Sequence, residues 1–400
     1  MKPLLPLLFT AFLLPLLYVS AAAQLPEVYI MDATNLASVK RSVQMKDKAT
    51  LQKLQPLLQE ADKLLEMKPV SVMEKAFTPV SGNKHDYMSQ APYFWYDSSK
   101  PNGLPYLRRD GERNPEIYKI TDRSNLGKLD GAARTLALAW YFTGKEKYAV
   151  KAASLLRTWF FDETTRMNPN LNYGQAIPGI NDGRGIGIIE TIALTGIADA
   201  AGLLYGSKAW SINELRALQQ WYSEYLNWML TSKNGKEEHA AKNNHGTWYY
   251  VQVVDFALFT GDTARAHELV EESKKTLNGQ LAADGQQPLE VERTNGLGYS
   301  TFNLRAWFTL ARLADMVDID LWNYTTPNGA GLRKAVDWLT PYAMGEKNWS
   351  WQQIDKYNNE DLYPLLRQAG SLWKVPAYSA QAQQLAKTIK DPVRTLSYSY

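Results

Sequence analysis

Two short stretches of this 400-residue chain concentrate side chains able to move protons beside a negative charge. The first is Lys242-Asn243-Asn244-His245-Gly246-Thr247-Trp248-Tyr249-Tyr250, with two amides, one imidazole and three large aromatics in nine positions. The second runs from Leu289 to Ser300 and carries Arg293 and Tyr299. Asn244, His245, Arg293 and Tyr299 are the residue types needed to remove the C5 proton of a uronic acid in a polymer. That proton is barely acidic while the adjacent carboxylate keeps its full charge. An arginine and an amide bind the carboxylate and stabilise the aci-carboxylate that forms as the proton leaves. A neutral histidine or an ionised tyrosine takes the proton, and a tyrosine delivers one to the departing O4. Such chemistry needs neither a metal nor an organic cofactor.

These side chains need a scaffold. Val251 to Phe259 is an apolar run that reads as a buried helix and stops at Thr260-Gly261-Asp262. Asn243 or Asn244 serves as its N-cap, which puts His245 in the first turn. There the helix dipole disfavours an imidazolium and favours a carboxylate ligand. The structural alternative is a capped core helix with one buried histidine.

The remaining chain reads mostly as helix. Leucines at mixed three-and-four spacing predict helix from Thr34 to Met67. Pro69 to Pro115 is a long loop rich in aromatics and arginine, including Tyr87, Tyr93, Trp95, Arg108 and Arg109; loops of this kind are more often functional than idle. Helices are expected over Leu126–Phe142, Glu146–Phe160, Gly185–Leu204, Ser211–Met229, Thr263–Leu277, Ser300–Val317 and Gly331–Ala343. A polar segment from Met167 to Arg184 contains Tyr173, Gln175 and Asp182. Phe142-Thr143-Gly144-Lys145 and Phe259-Thr260-Gly261-Asp262 mark a weak repeat, each a helix, a Thr-Gly stop and a second helix. Helical hairpins that cannot bury their faces alone must stack. No βαβ alternation and no run of period-2 strands appears. The predicted fold is all-α, a toroid or incomplete barrel of stacked helical hairpins with polar loops converging at one end, in one domain over residues 24–400.

Met1-Lys2, the apolar run Leu4 to Val19 and Ser20-Ala21-Ala22-Ala23 have the form of a signal peptide over residues 1–23. No later stretch reads as a membrane span. There is no cysteine, which excludes disulfides and thiolate metal sites and leaves no lipid anchor to expect. An exported enzyme without disulfides fits a bacterial periplasm. The net charge of +3 does not indicate a nucleic-acid surface. G-x-S-x-G, P-loop and H-E-x-x-H motifs are missing. The four histidines, His85, His239, His245 and His267, are poorly spaced for a metal, so no metal site is expected.

Asn243-Asn244-His245, followed about fifty residues later by an Arg and a Tyr, resembles the alginate lyase superfamily of helical (α/α) barrels. In the family 5 polysaccharide lyases Asn-Asn-His is followed by Ser-Tyr-Trp; this chain departs from that pattern with Gly246-Thr247-Trp248. The loop Lys84–Arg113 and Glu292-Arg293…Gly298-Tyr299-Ser300 are more similar to the broader alginate-lyase domain of bacterial saccharide degraders, polysaccharide lyase family 38 in particular. The resemblance covers most of the mature chain. It implies β-elimination on a 1,4-linked anionic uronic-acid polysaccharide, alginate first and glucuronan as the alternative. It assigns Asn244 and Arg293 to carboxylate neutralisation, His245 to the base for the epimer whose C5 proton lies opposite O4, and Tyr299 to the acid. For the syn epimer Tyr299 is both base and acid. Tyr87 would belong to a lid-like loop. Tyr93, Trp95, Arg108, Arg109, Tyr173, Gln175, Arg184 and Trp248 are candidate sugar contacts, although Arg108 and Arg109 also suit simple pairing with Asp110 and Glu112.

Two rivals stay open at this level. A glycoside hydrolase on the same kind of toroid needs two carboxylates flanking the scissile bond, with Asp86, Asp182 and Glu190 available. A non-catalytic glycan binder needs aromatics and arginines but not the His–Tyr–Asn–Arg set.

Overall fold

The run after His245 has no polar face. From Gly246 to Phe259 every side chain is buried, which a helix tolerates only when neighbours cover it all round. In the computed structural model, which describes residues 25–389 and 391–397, this run lies at the centre of a helical toroid. The expected signal peptide over 1–23 lies outside the described residues. In chain order the helices are α1 (Ala33–Gln44), α2 (Lys48–Leu64), α3 (Asp122–Thr143), α4 (Glu146–Phe160), α5 (Ala193–Leu203), α6 (Ile212–Thr231), α7 (Lys233–His239) and α8 (Asn244–Phe259). They continue as α9 (Thr263–Gln280), α10 (Pro288–Val291), α11 (Gly296–Asp315), α12 (Leu332–Ala343), α13 (Tyr363–Trp373), α14 (Pro376–Ala386) and α15 (Pro392–Ser397).

Burial sorts the helices into two layers. α5 and α8 are buried almost throughout, and α3 and α11 nearly so. These four pack in succession, α3 on α5, α5 on α8 and α8 on α11. Around them α2, α4, α6, α9 and α12 each bury one face and pack on an inner neighbour. The repeated Thr-Gly stops work as expected. Gly144 and Gly261 take left-handed φ values of +67° and +83°, a conformation glycine adopts without a Cβ penalty. The chain then reverses into α4 and α9.

The structure departs from the sequence reading in a few places. Helix 34–67 is two helices, because Lys46 turns left-handed (φ +57°) and Asp47 caps α2 through the Thr50 N–H. Gly185–Leu204 starts as a 3₁₀ turn over Gly185–Ile192. Contrary to the sequence reading, Gly185–Leu203 is long and apolar enough to cross a membrane by length and composition. However, 72% of that window is buried inside the fold, where an apolar helix serves as core. α7, α10, α13, α14 and α15 have no counterpart in the sequence reading.

The long loop is ordered by short pairings. β1 (Met88–Gln90) runs parallel to β4 (Tyr173–Ala176), and β2 (Phe94–Trp95) antiparallel to β3 (Leu107–Arg108). A fully buried ion pair anchors the loop's base. Lys75 lies 2.9 Å from Asp122 and donates to the Val72 and Lys84 carbonyls; Asp122 also accepts from the Met88 N–H. Burial pushes the Asp122 carboxyl up to about 6, against the pull of Lys75. Removing one partner of such a pair leaves an uncompensated buried charge, which is strongly destabilising. This end of the toroid therefore holds its loops firmly over the N-termini of α8 and α11.

Candidate active site

Where α8 starts decides which asparagine is free for chemistry. Asn243 is the N-cap, its Oδ1 accepting the His245 N–H at 3.2 Å. Asn244 is then released from capping and turned to Glu290. Its backbone N–H donates to Glu290 Oε1 at 2.6 Å and its Nδ2 to Oε2 at 2.7 Å. Glu290, on α10, is almost wholly buried; burial raises its carboxyl, and the bonds from Asn244 pull it back. Two fixed acceptors set the rotamer of Asn244.

His245 has a carboxylate of its own. Its Nδ1 lies 2.7 Å from Oε1 of the buried Glu238, on α7. An acceptor on Nδ1 makes that nitrogen the N–H and leaves the Nε2 lone pair for a proton from elsewhere. The departure at Gly246 now has a steric reason. A Cβ there would lie 2.1 Å from the Ala241 carbonyl oxygen, so glycine allows the turn before α8 to close against the helix start.

Arg293 and Tyr299 form one unit. The Arg293 guanidinium lies 3.9 Å from the centroid of the Tyr299 ring. Its Nε and Nη2 donate to Asp110 at 3.0 and 2.8 Å. Burial alone would raise the Asp110 carboxyl, but the bonds from Arg293 and Arg108 outweigh it and hold it at about 2. The edge of Arg293 formed by Nε and Nη2 is thus occupied by Asp110. The Tyr299 hydroxyl lies 2.8 Å from that of Tyr93. Burial and the neighbouring Tyr93 push the Tyr299 phenol well above its ordinary value, with Arg293 opposing. At neutral pH it carries its proton, the form a general acid requires.

Asn244, His245, Arg293 and Tyr299 line one open cavity of ≈ 730 Å³. Its wall also carries Arg108, Arg113, Arg123 and Arg184, so five arginines in all face a volume suited to several sugar units. Clustered positive charge in a cleft raises the local concentration of a polyanion. Arg184 donates to Gln175 Oε1 at 2.9 Å. Gln175 holds a left-handed φ of +50°, a strained state for a non-glycine residue that clusters at functional sites.

Of the nine expected sugar contacts, Tyr93, Arg108, Gln175 and Arg184 line this cavity. Tyr87 is corrected: it is fully buried and donates to Glu190 Oε2 at 2.8 Å, while Tyr93 of the same loop lines the cavity and meets the Tyr299 hydroxyl. Trp248 is corrected as well, since it is buried behind Phe302 with ring centroids 5.1 Å apart. Trp95 points away because successive residues on β2 alternate. Phe94 lines the cavity, while Trp95 Nε1 donates to the Glu112 carbonyl and the ring lies under Arg109. Arg109 also approaches Glu112 and is not part of the lining. Tyr173 stays outside too, because the turn at Gln175 breaks the alternation of β4.

The hydrolase carboxylates do not assemble. Glu190 is enclosed by Tyr87, Ser89 and Arg123. Asp86 is held by Ser81, Asn168 and Asn170, and Asp182 borders a different depression.

Comparison with known proteins bears on the family and the fold. The family model described as alginate lyase matches residues 71–349. A crystal structure of an alginate lyase from Bacteroides ovatus is 40% identical with a TM-score of 0.87, over 94% of this chain and 99% of that one. Alginate lyase A1-III from Sphingomonas species A1 shares the fold at 16% identity and a TM-score of 0.58, over 93% of this chain and 95% of that one. A variant of A1-III complexed with a tetrasaccharide superimposes with a TM-score of 0.59 at 16% identity, over 94% and 98% of the two chains. No curated protein sequence matches the chain.

Proposed function

The chain belongs to the alginate lyase family and is a polysaccharide lyase, and from that premise we propose that it cleaves alginate by β-elimination in the arginine-lined cavity, after export to the periplasm. The observation that carries the proposal is the convergence of Asn244, His245, Arg293 and Tyr299 on that one cavity. Asn244, fixed by Glu290, offers its second amide hydrogen to the uronate carboxylate. Arg293, fixed by Asp110, offers Nη1. Both interactions strengthen as charge moves onto the carboxylate, so they favour the transition state over the ground state. His245 takes the C5 proton through Nε2 where that proton lies opposite O4, as in guluronate. Tyr299 protonates the departing O4. For mannuronate, where proton and O4 share a face, Tyr299 does both; it must first lose its resting proton to solvent, a loss the Arg293 guanidinium favours, so that the tyrosinate takes the C5 proton and returns it to O4. The C4–O4 bond breaks, C4 and C5 become doubly bonded, and the proton taken from C5 balances the one delivered to O4.

The test is a panel of polymannuronate, polyguluronate, glucuronan and pectate, followed by near-ultraviolet absorbance of the conjugated product. Alginate blocks should give the fastest rise. Faster turnover of glucuronan would move the substrate assignment to that polymer, and no absorbance from any uronan would remove it.

A further inference from the structure

We propose that Gln353 is a positioning residue for Tyr299, acting from a strap that clamps the start of α11. The inference rests on the reading of Tyr299 as the proton donor.

A helix start leaves its first N–H groups without intrahelical partners. In α11 the residue placed to cap them, Asn295, makes no side-chain cap bond. The acceptors come from far along the chain. The Gly296 N–H donates to the Gln352 carbonyl at 3.1 Å. The Leu297 and Gly298 N–H groups donate to Gln353 Oε1 at 3.1 and 3.4 Å. The next residue is Tyr299.

The same amide works in the other direction. Gln353 Nε2 donates to Asn295 Oδ1 at 3.2 Å and to the Asp355 carbonyl at 3.0 Å. Asp355 closes the loop: its N–H donates to Asn295 Oδ1 and its carboxylate accepts from Asn295 Nδ2, both at 2.9 Å. The Ile354 N–H donates to the Thr294 carbonyl at 3.0 Å. Thr294 Oγ1 in turn donates to Asp110, the carboxylate that holds Arg293. One strap thus fixes the short segment between Arg293 and Tyr299, whose Asn295 and Gly298 face the cavity. The strap is pinned behind by Tyr357, whose hydroxyl lies 2.9 Å from Thr301 Oγ1. The family-model match ends at residue 349, so Gln352, Gln353 and Asp355 lie beyond it.

Only an amide of this length both accepts from two N–H groups and donates back. Alanine removes both functions, whereas glutamate keeps the acceptor, and negative charge is favoured at a helix N-terminus. Gln353→Ala and Gln353→Glu are to be compared with the wild type and Tyr299→Phe, reading kcat and KM on alginate and amide hydrogen exchange at Leu297 and Gly298. Gln353→Ala should lower kcat about tenfold, since small misplacements of reacting groups are costly, with KM little changed and exchange at both amides accelerated. Gln353→Glu should recover part of both. Unchanged kcat in Gln353→Ala, beside an inactive Tyr299→Phe, overturns the role of Gln353 alone. So does a Gln353→Glu enzyme as slow as Gln353→Ala, or a loss confined to KM, which would make the strap a sugar contact. An active Tyr299→Phe overturns the acid assignment and this inference with it.

Discussion

Tyr299→Phe should abolish turnover on every uronan while leaving the polymer bound. O4 leaves on the same side of the ring whichever epimer occupies the site, so one acid serves all substrates. Removing a general acid costs roughly 10²–10⁴-fold in rate, and here the loss belongs to kcat. Phenylalanine keeps the ring that packs under Arg293 at 3.9 Å, so the guanidinium retains its support. What disappears is the hydroxyl and its bond to Tyr93. Calorimetric titration with an alginate oligosaccharide should give a dissociation constant near the wild-type value. Near-normal turnover would show that another group delivers the proton and that the roles must be redrawn.

Arg293→Lys should have the next largest effect, and the structure sharpens the reason. Lysine keeps the charge but not the planar fork. That fork holds Asp110 through Nε and Nη2, with the guanidinium 3.9 Å from the centroid of the Tyr299 ring; in the proposed mechanism Nη1 is the nitrogen that serves the uronate. Lysine loses the two-bond tether and the guanidinium contact with the ring together. Stabilisation that matters mostly in the transition state falls on kcat, so a drop of about 10²-fold is expected with KM moved far less. A change confined to KM would place Arg293 in an outer subsite.

Much of this arrangement was legible in the chain. The start of α8 at the paired asparagines and its stop at Thr260-Gly261 followed from local signals, whereas Arg293 and Tyr299 were singled out by residue type and by the family resemblance. Short-range capping and turn chemistry write themselves into neighbouring residues, and these do not depend on the fold. The acidic partners were harder. Glu238, Glu290 and Asp110 look like ordinary surface charges, and what each one holds is set by the packing of α7, α10 and the long loop. Glu290 had the best clue, on α10 three residues before Arg293, which lies just past the end of that helix. Tyr87 and Trp248 failed for the opposite reason. A large aromatic fits a core as well as a sugar platform, and only burial separates the two. α7 was missed because Lys233–His239 is mostly charged and shows no apolar period.

The division of labour between His245 and Tyr299 is tested most directly by the turnover of His245→Ala on polyguluronate and on polymannuronate, each divided by the wild-type rate. The C5 proton lies opposite O4 in guluronate and beside it in mannuronate, so one side chain does not reach both. His245 is held through Nδ1 by Glu238 and lines the cavity together with Tyr299; in the proposed mechanism its Nε2 serves the face away from Tyr299. The result expected is a far deeper loss on polyguluronate, with polymannuronate retaining measurable cleavage through Tyr299. Equal losses on the two polymers, or a deeper loss on polymannuronate, would contradict the assignment of His245 as the base for the anti epimer.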